Sequence, residues 1–205
     1  MSDSTPAKRS AIEFSDEQSM LLDTASSFFK DKSPTAAVRA QLDSPTGFDA
    51  QTWNEIVALG WPALAIPVAH GGSGLTLAEA VTIAEPMGRH LHASPLTSTQ
   101  LFVQGVLAGA SETQQAQYLA RVCDGAVATV ALFEPAGSWD LQRPACAATA
   151  AGEALTLRGT KTLVTDGEVA ELLLASVSLR WHPGPLDALS RRHSQCRTPA
   201  RDCHR

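Results

Sequence analysis

Two short segments contain residue types and spacing that could hold a bound ligand. Residues 131–140 (ALFEPAGSWD) and 157–166 (LRGTKTLVTD) each pass from a run typical of a strand into a polar, turn-rich stretch. Turns at strand ends present backbone amides and hydroxyl groups on a rigid support. Groups of this kind bind and orient a ligand, so the two segments predict a binding site at one end of a β-structure.

The elements that must position these segments change type near Gly125. Before it, apolar residues recur at helical spacing in about six runs. Several runs begin at cap signals: Ser15, Asp49, and the capping boxes that start at Thr76 and Ser111. We therefore expect a helical part that ends shortly before Gly125.

Prolines and glycines set further expectations for the helical part. Pro34 is expected at the first position of a short helix, and Pro86 is expected to kink or end the helix that contains it. Residues 71–74 (GGSG) could suggest a phosphate-binding loop. They lack a preceding strand and a following Lys-Ser/Thr, so they favour an ordinary turn.

After Gly125 the apolar pattern becomes typical of strands. The predicted strands are residues 126–133, 145–150, 154–158 and 169–178. Helices followed by strands indicate an α+β chain in which the two kinds of element are in series. We divide it into an all-α helical domain over residues 13–124 and a partial middle β-domain over residues 125–179.

Composition limits the possible classes of protein. The chain has 205 residues, 44% of them apolar, and no apolar run of the roughly 18 residues that span a bilayer. Residues 1–179 are acidic, with 10 Lys and Arg against 19 Asp and Glu, which excludes the basic surface that nucleic acids bind. The first ten residues contain no apolar signal sequence, which predicts a cytoplasmic protein without a disulfide framework.

The two ends of the chain differ from the rest. Residues 1–12 are expected to be a disordered lead-in. Residues 180–205 have neither helical nor strand periodicity and carry 6 Arg against 2 Asp. We expect an anomalous, disordered tail, and its composition is also typical of GC-rich DNA read out of frame after a frameshift near Leu179.

No metal site is predicted. The four His and Cys residues of the tail (His193, Cys196, Cys203 and His204) have a spacing without a standard zinc counterpart. His70, His90 and His92 are also poorly spaced for a metal, and we expect them at the surface or at the edge of the core. Lys161 is expected in a solvated turn.

Landmarks along residues 13–179 resemble those of the acyl-CoA dehydrogenase family. They are FSDEQ at 14–18, the segments 59–67 and 71–75, EPMGR at 85–89 with Ser94-Pro95, residues 109–125, FEPAGSWD at 133–140, and residues 159–165. The last two resemble the patterns Thr-Glu-Pro-x-x-Gly-Ser-Asp and Gly-x-Lys-x-Trp-Ile-Thr-Asn.

This resemblance implies a fold and a reaction. It implies an N-terminal helical domain, followed by an antiparallel β-barrel-like domain that is truncated here, and it implies a C-terminal helical domain in the family. The reaction is FAD-dependent oxidation of an acyl-CoA to the 2,3-enoyl-CoA. Electron-transferring flavoprotein is the family's electron acceptor, and homo- or hetero-oligomers of dehydrogenase subunits are implied partners.

The resemblance also implies which residues contact FAD. Thr165 and Ser138 retain hydroxyl groups, Thr165 toward the flavin ring and Ser138 near the pyrophosphate, although Ser138 could simply initiate a turn. Phe133 stands where the pattern has Thr, and Leu163 stands where it has an aromatic residue. Trp139 disturbs the Gly-Ser-Asp register.

Three interpretations remain open from sequence. The family's catalytic glutamate lies in the C-terminal domain, and no Glu of this chain matches it, since Glu134 belongs to a structural turn. We assign no catalytic residue and expect a truncated dehydrogenase that is inactive alone. The alternatives are a non-catalytic subunit of a heteromeric dehydrogenase, for which Phe133 and Leu163 speak, and a product without function whose unpaired strand edge near residues 169–178 favours aggregation.

Overall fold

The structure, a computed structural model, describes residues 14–151 and 154–180. The expected lead-in over residues 1–12 and, apart from Arg180, the expected tail over residues 180–205 lie outside the described residues, as do the four candidate zinc ligands. Within the described ranges, no helix combines the length and the apolar character that crossing a bilayer requires.

Six α-helices make up the first part of the described chain. They are α1 (Asp16–Lys32), α2 (Thr35–Leu42), α3 (Ala50–Ala58), α4 (Leu77–Arg89), α5 (Leu96–Gly109) and α6 (Glu112–Cys123). Two short 3-10 turns, Trp61–Ala63 and Val68–His70, lie between α3 and α4. Ser15, Thr76 and Ser111 each form a capping box, and the Asp49 side chain accepts a hydrogen bond from Thr52 N. The predicted helix starts are therefore confirmed.

The two prolines lie near helix ends. Pro34 is the N-cap of α2 rather than its first helical residue, one position from the prediction. Pro86 lies inside α4, which ends shortly after it, at Arg89. Its ring is almost completely buried, and this burial stabilises the helix against the loss of one backbone hydrogen bond. The helix ends within a turn of Pro86, so few further bonds are at stake.

The turn at residues 71–74 folds back on the preceding segment. Ser73 N donates to Ala63 O and Gly74 N donates to Ile66 O, at 3.1 and 2.8 Å. A Cβ at Gly72 would collide with the carbonyl oxygens of Ile66 and Ala63, so only glycine allows this approach. The segment is the turn that the sequence predicts, and its amides are directed at its own backbone.

Five strands follow the helices and confirm the α+β class. They are β1 (Ala128–Ala131), β2 (Ala147–Ala151), β3 (Ala154–Arg158), β4 (Leu172–Ala175) and β5 (Ser178–Arg180). β1 pairs with β4 in one sheet, and the order β3-β2-β5 forms a second sheet. The strand predicted over residues 169–178 is divided into β4 and β5, which belong to different sheets.

Strand direction agrees with the predicted antiparallel arrangement in one pair of three. β2 and β3 are antiparallel, whereas β1–β4 and β2–β5 are parallel. Only two residues separate β2 from β3 in the sequence, and so short a separation suits an antiparallel pair. The parallel pairs join segments that are distant in sequence, and parallel strands require such long connections.

The core consists of two clusters, and one of them joins helices to the first sheet. Two clusters of buried apolar side chains are present: one centres on Phe29, Trp53, Ile56, Trp61 and Ile83, and the other on Phe102, Val103, Val106, Leu119, Val122, Ala128 and Leu172. The second cluster packs α5 and α6 against β1 and β4. Thr99 of α5 also exchanges hydrogen bonds with the backbone of Ala128, at 3.2 and 3.3 Å.

A buried ion pair joins the two sheets. Lys161 Nζ lies 2.8 Å from Glu134 Oε1, and each side chain is only 10% exposed. Glu134 follows β1, and its two carboxylate oxygens accept hydrogen bonds from the amides of Ala145 and Cys146, just before β2. The prediction that Lys161 lies in a solvated turn is therefore wrong.

The remaining bonds of the ammonium group complete this junction. Lys161 Nζ donates to Leu132 O at 3.2 Å and to Ser176 Oγ at 2.9 Å. Leu132 follows β1, and Ser176 lies between β4 and β5. The Glu134–Lys161 junction thus connects segments adjacent to all five strands, and both buried charges have the partners that burial demands.

This junction predicts a specific dependence of stability on pH. The Lys161 ammonium, followed by the Cys146 and Ala145 amides, lowers the pKa of Glu134 from 4.5 to about 2. Because the unfolded chain binds the proton more readily, the contribution of Glu134 is complete above pH 4.5 and disappears as the pH falls toward 2. We expect Glu134→Gln to be much less stable at pH 7 and to lose less stability on acidification than the wild type, as measured by urea unfolding between pH 7 and 3.

The matched control is Glu85→Gln, which removes the exposed ion pair with Arg89 on α4. Exposed pairs contribute little, so this variant should follow the wild-type curve. The pKa of Glu79 is also lowered to about 2, by Thr76 and Gln18, and some acid sensitivity will therefore persist in Glu134→Gln. Equal stability of Glu134→Gln and Glu85→Gln at pH 7 would contradict the assignment.

Candidate functional site

The structure brings the two polar segments together. Thr162 N donates to Phe133 O at 2.9 Å. Phe133 directly precedes Glu134 of the buried junction, and Thr162 directly follows Lys161. The segment after β1 and the segment after β3 are therefore held side by side, by one backbone bond and one ion pair.

The segment from Leu163 to Asp166 is fixed at its end while its side chains remain accessible. Thr165 O accepts a hydrogen bond of 2.6 Å from Thr129 Oγ1 of β1, and Asp166 Oδ2 accepts one of 2.6 Å from Ser98 Oγ of α5. The Leu163 side chain is 85% exposed, and Thr165 is also exposed. Both predicted contact residues thus lie at the surface of an anchored loop.

Two residues of this loop have unusual backbone geometry. Leu163 and Asp166 have φ values of 52° and 54°, in the left-handed region that residues other than glycine rarely adopt. Such conformations persist where the surroundings determine them, and they are concentrated at functional sites. The bond from Ser98 supplies that constraint for Asp166. Sequence reasoning missed Ser98, because no local pattern relates residues 68 positions apart.

The segment after β1 carries an aromatic pair. The rings of Phe133 and Trp139 are 4.7 Å apart, centroid to centroid, at an interplanar angle of 61°. Phe133 is half-buried, whereas the Trp139 side chain is 80% exposed. Ser138 Oγ accepts a hydrogen bond of 3.2 Å from Asp140 N, which is the geometry of a serine that initiates a turn. The sequence identified all three positions, but not the contact between the rings.

An apolar cavity of about 200 Å³ lies between α4 and α5. Its wall is formed mainly by Trp61, Leu77, Ala80, Val81, Ile83, Ala84, Leu96 and Leu101, with Thr97, Gln100 and Gln104 as the polar members. Gln100 Nε2 donates to the carbonyl oxygens of Trp61 and Pro62, and within the described part of the chain its Oε1 has no hydrogen-bond partner. Sequence reasoning did not find this cavity, because its lining residues come from α4, α5 and the 3-10 turn at Trp61 and meet only in three dimensions.

The histidines have structural surroundings. His70, His90 and His92 are all partly buried. His92 Nδ1 lies 2.8 Å from Ser33 Oγ, and burial lowers the pKa of His92 although nearby Asp49 acts in the opposite direction. Over residues 14–151 and 154–180, no three His, Cys, Asp or Glu side chains are arranged to hold a metal ion.

Comparison with known proteins gives consistent matches to one family. The family model of the acyl-CoA dehydrogenase N-terminal domain matches residues 15–126, more than half of the chain. The acyl-CoA dehydrogenase FadE28 of Mycobacterium tuberculosis is 34% identical over 149 residues, which are 71% of this chain and 42% of that protein. The chain spans between about a fifth and two fifths of the length of the curated relatives that it matches.

Solved structures share the fold. A Tcur3481–Tcur3483 steroid acyl-CoA dehydrogenase variant superimposes with a TM-score of 0.73 at 32% identity, over 80% of this chain and 45% of that one. The ChsE4–ChsE5 complex from Mycobacterium tuberculosis gives the same TM-score at 22% identity, over 82% and 46% of the respective chains. With the matched family model and the two segments joined at one site, these findings show that the chain belongs to the acyl-CoA dehydrogenase family.

Proposed function

We propose that this chain supplies the helical part and the flavin-facing strand ends of an FAD-dependent acyl-CoA dehydrogenase. The observation that carries the proposal is the bond between Thr162 N and Phe133 O. It places the two segments that resemble the family's flavin-binding patterns at one edge, where Leu163 and Thr165 are accessible. A flat ring can contact both segments only if they lie side by side in this way.

The residues at this edge are chemically suited to a flavin. A flavin ring has apolar faces and a polar rim, so its site needs apolar surface and at least one hydrogen-bond donor. Leu163 and the pair Phe133–Trp139 offer apolar surface, and Thr165 offers a hydroxyl group. The Lys161 ammonium is committed to Glu134 and is not an available phosphate ligand.

FAD, when bound, supplies the acceptor for the hydride that leaves the β-carbon of the acyl-CoA. The chain's own residues bind and orient. Thr165 would donate its hydroxyl hydrogen to an acceptor on the rim of the ring, and Leu163 and Phe133 would exclude water from one face. Ser138 lies on the exposed turn that we assign to the pyrophosphate. Donors that are fixed before reaction stabilise developing charge most effectively.

The apolar cavity between α4 and α5 is the proposed site of the acyl chain. Its walls are almost entirely aliphatic, apart from Gln100 and two other polar side chains. Each buried methylene contributes about 0.8 kcal/mol, so even a short acyl chain gains affinity there.

Catalysis requires a base that no residue of this chain matches. We therefore propose that the chain does not dehydrogenate an acyl-CoA alone, and that activity needs the part of the family fold that lies beyond the matched segments. The partners that follow are acyl-CoA, dehydrogenase subunits and electron-transferring flavoprotein, and we propose a cytoplasmic location.

A second candidate is a non-catalytic subunit of a heteromeric dehydrogenase. Phe133 stands where the family pattern has a hydroxyl group, and Leu163 stands where it has an aromatic ring. Both changes remove contacts to the ring, and one structure with this fold is a complex of two different chains. Flavin that is retained only in the presence of a second gene product would favour this candidate.

The first prediction concerns Thr165. Thr165→Val keeps the shape of the side chain and leaves the backbone bond from Thr129 in place, but it removes the hydroxyl group. One hydrogen bond contributes about 1 kcal/mol. We therefore expect the Kd of the full-length chain for FAD to rise about fivefold, as measured by isothermal titration calorimetry. The control is Thr113→Val, at an exposed threonine of α6. Equal affinities of both variants would contradict the role of Thr165.

The second prediction concerns the apolar cavity. Octanoyl-CoA should bind more tightly than free CoA, and Ala80→Phe should reduce this difference at least tenfold because the ring fills the cavity. Ala78→Phe makes the same change on α4 at an exposed residue that does not line the cavity. An undiminished preference for octanoyl-CoA in a folded Ala80→Phe variant would exclude this cavity.

The third prediction concerns turnover. The purified chain, saturated with FAD, should not reduce a dye acceptor in the presence of butyryl-, octanoyl- or palmitoyl-CoA. Reduction above the rate of a heat-denatured control would show that a base is present within these 205 residues, and the assignment of catalysis to other parts of the family fold would then be wrong.

A further inference from the structure

Trp139 is an unusual surface residue. Its side chain is 80% exposed, although tryptophan is normally largely buried. Leu141 and Leu163 are also exposed, at 49% and 85%. We call these three side chains the exposed apolar edge; they lie on the loops that follow β1 and β3, which the bond from Thr162 N to Phe133 O joins. A concentration of large apolar groups around a polar turn marks a surface that a ligand or partner covers.

Two contacts hold Trp139 at the candidate flavin site. Its indole packs against the Phe133 ring, with centroids 4.7 Å apart. The carbonyl oxygen of the same Phe133 accepts the bond from Thr162 N, next to Leu163. The indole is therefore fixed against the residue that joins the two segments. The hydrogen bond from Asp140 N to Ser138 Oγ restricts the backbone on both sides of Trp139.

We propose that Trp139 provides the aromatic surface for the flavin ring, in place of the aromatic residue that Leu163 replaces. This inference rests on the proposed function and adds a residue that contacts the cofactor. An aliphatic side chain at position 163 offers no π-face, whereas the exposed indole offers one at the same edge. Aromatic rings pack in offset or edge-to-face geometry with centroids 4.5–7 Å apart, and the Phe133 contact leaves the outer face of the indole accessible.

The chemistry of the edge favours a flat aromatic ligand over a second protein chain. Its three apolar side chains are set among Gly137, Ser138 and Asp140, all of them exposed. A ring with one apolar face and a polar rim matches this mixture. A stable protein interface would need a larger continuous apolar area than three side chains provide.

The test is a titration of the full-length chain with FAD, followed by flavin fluorescence and anisotropy. Contact with an indole quenches flavin emission, whereas contact with a phenyl ring does not. Wild type should bind with strong quenching. Trp139→Phe should bind within about threefold of wild-type affinity but without the quenching, and Trp139→Leu should bind about tenfold more weakly. Met20→Ala, at another exposed apolar residue, should match the wild type in both measurements.

Each result decides a different question. If Trp139→Leu binds FAD with wild-type affinity and quenching, this inference is wrong and the proposed function stands. If the wild-type chain binds no FAD, both are wrong for this chain. Sedimentation velocity without FAD tests whether a second copy of the chain covers the exposed apolar edge. Dimers that disappear in Trp139→Leu would assign the edge to that second copy and overturn the flavin assignment.

Discussion

The buried pair of Glu134 and Lys161 is the interaction on which the candidate site depends. Both charged side chains have little access to solvent. Beyond their mutual contact, the carboxylate accepts hydrogen bonds from backbone amides, and the ammonium donates to a backbone carbonyl and to a serine hydroxyl. Removing either charge would leave the other buried alone, which costs far more than the pair contributes. The two sheets have two and three strands. A link between their adjoining segments therefore helps to fix the position of one sheet relative to the other.

This pair also explains why two distant sequence patterns behave as one site. The Glu of the Glu-Pro pattern and the Lys of the Gly-x-Lys pattern are partners, and neither is directed at a ligand. The pair instead fixes the positions of neighbouring residues: Phe133 next to Glu134, and Leu163 to Thr165 after Lys161. Thr129 and Ser98 then fix the second segment to β1 and α5. Of the side chains that the patterns associate with the flavin, Ser138, Leu163 and Thr165 remain exposed, and Phe133 is half-buried.

Local signals predicted the helices well, and non-local contacts explain what the sequence did not predict. A capping box acts over three residues, so Thr76 and Glu79 could be paired by inspection. Lys161 lies 27 residues from Glu134, and a lysine between turn residues gives no sign that it will be buried. The parallel pairing of β1 with β4 was missed for the same reason, because strand direction depends on where a long connection returns. The candidate flavin contacts are a prediction from the family patterns, while the cavity and the Phe133–Trp139 contact appeared only in three dimensions.

We propose that one ligand, FAD, contacts both segments at once. Hydrogen–deuterium exchange of the full-length chain with and without FAD measures this contact. We expect slower exchange in peptides that cover residues 132–140 and 159–167, with the amides of α1 to α3 unchanged. Protection confined to the helices, or to only one of the two segments, would contradict it.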